Sequence, residues 1–330
     1  MRKVRRQGLF ILVVALVVSS IYLPFQVYAG NLNRPVRIGV LTDSWGLTPA
    51  AVGLRDGLEA LGYREDRDYF LGVRFTQGNR PALLAAARAL VELGVDVIFA
   101  AGDPSAKAAQ MATTQVPIVF SSSDDPIGQG LIQSFAHPGR NITGIADLTL
   151  ELGPKRLELF QEMIPGLRRV LFPYDAADAH ALKEVAIYRR AAHQLGIELI
   201  EKAVHTSEEA QDVLTRIQSG EVDGVLPPTC CALNIPGLVL DIMPSKRIPA
   251  LYDAAFWPEQ GAFASYGQDL YESGRQSARL VDKILKGQKP AGIPVEVNSK
   301  IEFVINLKAA KAMGLTLAPE VLFQADRIIR

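Results

Sequence analysis

The chain has 330 residues, 48% of them hydrophobic, 21% charged and 7% aromatic. That composition excludes disordered, collagen-like and low-complexity classes, and at ~100–200 residues per domain the length suits about two domains. Its 35 basic and 35 acidic residues cancel to a formal net charge of +0, which gives no support to a phosphate-driven nucleic-acid partner.

Arg2, Lys3, Arg5 and Arg6 make a cationic start, residues 9–23 an apolar run, and Val27-Tyr28-Ala29 a small-residue exit before Gly30. This is the pattern of a secretory signal peptide over residues 1–29. The run is shorter than the ~20 residues a membrane-spanning helix needs, so cleavage is expected over retention as an anchor. No Cys lies beside the cut, which disfavours a lipid anchor. Loss of these four basic residues leaves 31 basic against 35 acidic. The mature protein is therefore expected to be mildly acidic, soluble and periplasmic or otherwise extracytoplasmic.

Beyond residue 35, β-rich runs alternate with segments of helical spacing. Strands are predicted over 36–41 (VRIGVL), 71–75, 95–101 and 117–120, and helices over 49–61, 81–93 and 105–112. After Asn141-Ile142-Thr143-Gly144 the pattern begins again. Helices are predicted over 152–163, 181–195, 208–217 and 238–245, and strands over 169–173, 198–203, 224–226 and 249–252. The chain then returns through a strand at 263–266, a helix at 270–285, a strand at 302–306 and a helix at 307–313. Short apolar strands separated by helices indicate α/β architecture with parallel sheets covered on both faces. Two doubly wound, Rossmann-like lobes are expected, joined by a hinge that the chain crosses more than once. The first lobe is assigned residues 36–143 plus about 254–290, and the second 144–253 plus about 291–330.

In such sheets ligands sit beyond the carboxyl ends of the strands. Those ends carry Thr42-Asp43-Ser44-Trp45, Gly102-Asp103-Pro104-Ser105, Ser121-Ser122-Ser123-Asp124-Asp125, Tyr174-Asp175, Pro228-Thr229-Cys230-Cys231 and Tyr252-Asp253. Small hydroxyls, short acids and rings suit a small polar ligand with an apolar part. Asp103 and Pro104 open a helix whose free N–H groups can receive a carboxylate or phosphate oxygen, or Asp103 does no more than cap it. Ser121, Ser122 and Ser123 are ligand hydroxyls or a plain loop. Asp124 and Asp125 hold an ammonium or metal ion, or set the turn before Pro126. Trp45, Tyr174 and Tyr252 wall the cleft or pack in a core.

Catalytic templates are missing from the sequence: no P-loop, no GxGxxG, no HExxH and no Gly-x-Ser-x-Gly. Gly128-Gln129-Gly130 lacks a third glycine. His137, His180, His193 and His205 are scattered and are expected on the solvated surface. No catalytic residue, cofactor or resident metal is assigned. Cys230 and Cys231 are adjacent and cannot staple distant segments. They are free thiols, a vicinal disulfide or a soft metal site.

Several ordered segments resemble one family: RIGVL with GLRDGLEALGY, VDVIFAAGDPSAKAA, PIVFSSSDDPIGQGLI, HPGRNITG, GPKRLELFQEMIPGLRRV, SYGQDLYESGRQSARLVDKILKGQKPAGIPVE and FVINLKAAKAMGLTLAPEVL. The chain is similar over about 37–328 to the ABC-transporter substrate-binding proteins typified by tryptophan and tyrosine binders, which have the type I periplasmic-binding-protein fold. The resemblance implies capture of a small solute, an amino acid or a related carboxylate-bearing compound, between the lobes of a monomer. The closed form would then dock on a membrane permease. It places first-lobe contacts at Ser44, at Gly102, Asp103 and Ser105, and at Ser121, Ser122, Ser123 and Asp124, with Trp45 beside them. Second-lobe contacts fall at Tyr174, Asp175, Thr229, Tyr252 and Asp253. The sequence departs from relatives at Pro173-Tyr174-Asp175-Ala176, where they commonly carry Asn-Pro, and at Pro228-Thr229-Cys230-Cys231. Both lie where specificity is decided. A sensory binding module, an exported enzyme on the same scaffold and a repressor-type core are the rival readings; the last lacks a DNA-binding head.

Overall fold

A computed structural model describes residues 34–227 and 238–330. In the first half, strands Val36–Thr42 (β1), Tyr69–Phe75 (β2), Val97–Ala101 (β3), Ile118–Ser123 (β4) and Ile142–Ala146 (β5) alternate with helices Pro49–Ala60 (α1), Leu83–Glu92 (α2) and Asp103–Ala112 (α3). With the returning strand Glu296–Val297 (β11) they build a parallel sheet in the order β11-β5-β4-β3-β1-β2. Central β3 is buried along its whole length, as expected of a parallel strand covered on both faces.

Helix α1 starts where Thr48 accepts a hydrogen bond from the Ala51 amide at 3.2 Å, with Pro49 supplying a preset φ. It packs against the late helix Leu270–Leu285 (α9), and the approach is close enough to require glycine. A Cβ at Gly53 would lie 1.9 Å from the Tyr271 carbonyl oxygen, and one at Gly274 would lie 1.9 Å from that of Ala50.

The second lobe carries Thr149–Met163 (α4), Arg169–Asp175 (β6), Ala179–Leu195 (α5), Glu198–Val204 (β7), Ser207–Arg216 (α6) and Gly224–Val225 (β8). Short pieces follow at Met243–Ser245 (α7), Leu251–Tyr252 (β9) and Phe256–Glu259 (α8). Strands Ala264–Gln268 (β10), Ile301–Asn306 (β12) and Arg327–Ile329 (β13), with helices Leu307–Ala312 (α10) and Pro319–Gln324 (α11), complete it. Three strands run β7-β6-β8 and four run β13-β12-β10-β9. A parallel bridge from Val225 to Ala250 connects the two groups. Beneath α4 and α5 lies a core containing Phe160, Met163, Phe172 and Tyr188.

Two doubly wound lobes therefore exist, as expected, and the chain passes between them three times. After β5 it leaves at Asp147; after β10 it returns at Asp269; after β11 it leaves again at Asn298. A buried polar knot ties the three crossings. The Gln268 side chain accepts from the Leu148 amide at 2.7 Å and donates to the Asn298 carbonyl at 2.6 Å. Asn298 Nδ2 donates to the Asp269 carbonyl at 3.0 Å and to Ser273 Oγ at 2.8 Å, and the Ser273 hydroxyl lies 3.3 Å from Asp147 Oδ1.

Sheet membership corrects the expected division of the chain. Residues 142–146 form a strand of the first sheet where a lobe boundary was placed, and β10 pairs with β9 and β12 rather than joining the first lobe. Conversely, β11 pairs with β5. Strands of two or three residues carry too little periodicity to be read from sequence. The pairing of β10 with β12 is antiparallel, an exception to the all-parallel expectation. The helix predicted over 238–245 is a π-helical turn, Leu238–Ile242, leading into α7. Residues 1–29, with the signal-peptide reading, lie outside the described residues, as do Thr229, Cys230 and Cys231. Among the described residues no helix is long and apolar enough to cross a membrane.

Candidate functional site

The carboxyl ends of β1, β3 and β4 form one wall of the cleft between the lobes. Gly102, with φ 88°, turns the chain from β3 into α3 and donates its amide to the Ser121 carbonyl at 2.9 Å. It is also the N-cap, so Asp103 begins the helix and does not cap it. Asp103 Oδ1 is buried without a hydrogen-bond partner, as are the hydroxyls of Ser105, Ser121 and Ser123. Ser122 between them is held at φ 59°, and the register of β4 against β5 shifts there. Non-glycine residues in that region are uncommon and gather at functional sites.

The other wall comes from the ends of β6 and β9 and from one face of α5. Asp175 follows from β6. Asp178 caps α5, accepting from the His180 amide at 2.9 Å. His180, Glu184 and Tyr188 recur at four-residue intervals and share one helical face. Behind them Arg156 of α4 is only 1% exposed. It donates from Nε to the Tyr266 carbonyl at 2.8 Å and from Nη1 to the Tyr188 hydroxyl at 2.6 Å, while Nη2 has no partner.

The walls meet at the mouth. Arg80, which follows β2 in the first lobe, reaches Asp175 at 3.2 Å and Asp178 at 3.1 Å in the second, and lies 3.5 Å from Asp43 in its own. Lys183 of α5 pairs with Asp125 at 2.5 Å, and His180 Nε2 lies 3.3 Å from Asp124 Oδ2. Charged pairs thus join the two lobes on both sides of the mouth.

Burial dominates the electrostatics inside. It pushes the Asp147 carboxyl up to about 8, with the nearby Asp124 charge adding to the effect. Glu184 rises to about 7, burial outweighing Arg156 and His180. Asp103 rises to about 6, again through burial, with the Ser123 hydroxyl pulling it back and Asp124 pushing it up. Asp253 is raised by burial against the attraction of Arg156, and Asp43 by burial against Arg80. Loss of solvent disfavours each carboxylate more than its neighbours favour it. Among the described residues no group of three His, Cys, Asp or Glu side chains is placed to hold a metal ion.

The expected first-lobe residues Gly102, Asp103, Ser105, Ser121, Ser122, Ser123 and Asp124 come together here; from the second lobe Asp253 acts on the interior charges, whereas Asp175 stands at the mouth against Arg80. Ser44 closes its own turn, its hydroxyl donating to the Gly46 carbonyl at 2.6 Å, and Trp45 beside it is exposed. Of the two readings left open for the rings, Tyr252 and Tyr174 show the core-packing one. Tyr252 is buried in the second-lobe core, stacked on Trp257 with centroids 5.3 Å apart, and Tyr174 packs on Phe172 against the core under α5. Asp125 does set the turn, accepting from the Gly128 amide at 2.8 Å, and also pairs with Lys183.

His180, expected in solvent, is enclosed between the lobes. Arg80, Arg156, Asp178 and Glu184 were not singled out. The four-residue spacing of His180, Glu184 and Tyr188 on α5 was a usable signal for Glu184. Arg156 stands on the apolar stripe of α4 beside Leu152 and Phe160, and a cation there asks for a partner.

The family model described as ABC transporter substrate binding protein matches residues 36–329. A tyrosine-binding protein of Clostridioides difficile is 26% identical over 286 residues, covering 86% of this chain and 81% of that protein. Among solved structures, a conserved domain protein from Vibrio cholerae is 30% identical with a TM-score of 0.79, covering 90% of this chain and all of that one. The ABC domain from Streptococcus pneumonia in complex with L-Trp is 27% identical with a TM-score of 0.78, covering 89% of this chain and all of the other.

Proposed function

The chain belongs to the ABC transporter substrate-binding protein family, and on that premise we propose that it works outside the cytoplasm as a monomer. In this reading the signal peptide over residues 1–29 exports it. The cleft closes on an amine-bearing solute of amino-acid size, and the closed form passes that solute unchanged to a membrane permease. The tyrosine- and tryptophan-binding relatives support that size class.

One observation carries the reading: Arg80 bridges the lobes at the mouth while polar atoms of Asp103, Ser123 and Arg156 stay unpartnered inside. Buried polar groups ordinarily find partners, and a solute held between the walls provides them. Asp103 Oδ1 and Ser123 would take N–H donors from the first lobe. Arg156 Nη2 would take an acceptor from the second, the role first assigned to the start of α3. Closure is favoured only by as much as the solute binds the closed state better than the open one. The test is a thermal-shift and intrinsic-fluorescence screen against amino acids, amines and small acids. A rise in Tm with a saturable fluorescence change supports the reading. No response across the screen contradicts it.

A further inference from the structure

The charges inside the cleft do not balance. At its centre stand Asp103, Asp124, Glu184 and Asp253, and Asp124 acts electrostatically on each of the other three. Glu184 counts only in part because burial raises it to about 7, and Asp147, in the hinge knot and raised to about 8, does not count. Facing them are Arg156 and His180. Two of Arg156's three nitrogens are already spent on Tyr266 and Tyr188, and His180 is paired with Asp124. The rim brings no relief: Arg80 is shared among Asp43, Asp175 and Asp178, and Lys183 is taken by Asp125. Residues 228–237, outside the described residues, include no Asp, Glu, Lys, Arg or His, so that stretch of sequence brings no charge to redress the balance.

Two further observations say what is missing. The Ser123 side chain is wholly buried and its hydroxyl acts on Asp103, whose Oδ1 is buried without a partner. That oxygen calls for a donor. A bare metal ion does not suit, because no three ligands converge among the described residues. An organic cation does, since its N–H groups are spread over several ångströms and can reach carboxylates from both walls. A zwitterion brings one negative charge for each positive one and leaves the surplus untouched.

Resting on the solute-capture reading above, we propose that the solute this cleft selects carries net positive charge, with an ammonium, amidinium or guanidinium group held between Asp103 and Asp124 of the first lobe and Asp253 of the second. The experiment is isothermal titration of the full mature protein with matched pairs: L-arginine against its neutral isostere L-citrulline, and L-lysine against L-norleucine. Agmatine, putrescine, L-tryptophan, L-tyrosine and L-glutamate complete the set. The inference expects at least one cation to bind about tenfold or more tighter than its neutral counterpart and tighter than L-tryptophan or L-tyrosine. Asp103→Asn and Asp253→Asn, each checked for an unchanged far-UV spectrum, should shrink that preference about tenfold. If a net-neutral or anionic member binds tighter than every cation, the charge inference falls and solute capture stands. If no member binds at millimolar concentration the charge inference falls as well, and silence in the wider screen takes the solute-capture reading with it.

Discussion

Arg80 Nη1 lies 3.2 Å from Asp175 Oδ2, and that contact, with the neighbouring one to Asp178 at 3.1 Å, links the two lobes on one side of the mouth, as Lys183–Asp125 and His180–Asp124 do on the other. One guanidinium serving two acids on the opposite lobe makes closure partly an electrostatic event. A double-mutant cycle of Arg80→Met and Asp178→Asn, read out as affinity for whichever solute responds in the screen, should give a coupling of about 1 kcal/mol. Because the pair is only partly buried, the coupling should shrink as salt is raised to about 0.5 M. Additive effects at low salt would mean that the bridge plays no part in closure.

Ionisation of the hinge knot should limit stability from the alkaline side. Asp147, raised to about 8 in the fold by burial, ionises near 4 when unfolded. A carboxyl whose folded value is raised contributes stability that is complete below the unfolded value and is lost as pH climbs through the folded one. The Tm should therefore fall between about pH 4 and 8 and level off above that. Asp147→Asn, which keeps an oxygen for the Ser273 hydroxyl, should flatten that fall most between about pH 5 and 7, where the folded carboxyl holds a proton that the unfolded one has lost, and have little effect on the slope above about pH 8. A variant as pH-sensitive as the parent would contradict this assignment.

Arg156 should be the most costly single side chain of the second lobe to remove. Arg156→Met leaves the Tyr188 hydroxyl and Tyr266 carbonyl short of a donor and Glu184 and Asp253 without their buried cation. Breaking a buried charge network in this way costs about 3–5 kcal/mol, measured by urea unfolding. Tyr188→Phe removes one hydrogen bond and should cost nearer ~1–3 kcal/mol. Equal losses in the two variants would contradict the network.

Packing of α1 on α9 sets a separate expectation. Gly274→Ala puts a methyl 1.9 Å from the Ala50 carbonyl oxygen, and the helices must separate to admit it. A loss of about 1–3 kcal/mol follows, visible as a Tm lower by about 3–8 °C. An unchanged Tm would show that the helices part without strain.

How much was legible in the sequence follows from these particulars. The alternation of 36–41, 49–61 and 95–101 announced a covered parallel sheet because each strand is apolar apart from Arg37 and Asp96 near its start and the helix keeps its period. The family resemblance then placed the loops at the carboxyl ends. The lobe assignments of β5, β10 and β11 were not legible, since which sheet a short strand joins depends on long-range pairing. Within the site, Asp103 and Ser121 to Ser123 were found from their place at strand ends. Arg80 was not, because it acts across the cleft on residues about a hundred positions away. Tyr252 stayed open between cleft wall and core because a ring at a strand end can turn either way, and here it stacks on Trp257 in the core.

Native mass spectrometry of the mature protein, incubated with the solute that responds in the screen and then denatured to release it, addresses the central claim most directly. The account predicts a one-to-one complex whose small molecule comes off with its mass unchanged, however long the incubation. Release of a chemically altered molecule, or no complex with a solute that shifts the Tm, would contradict it.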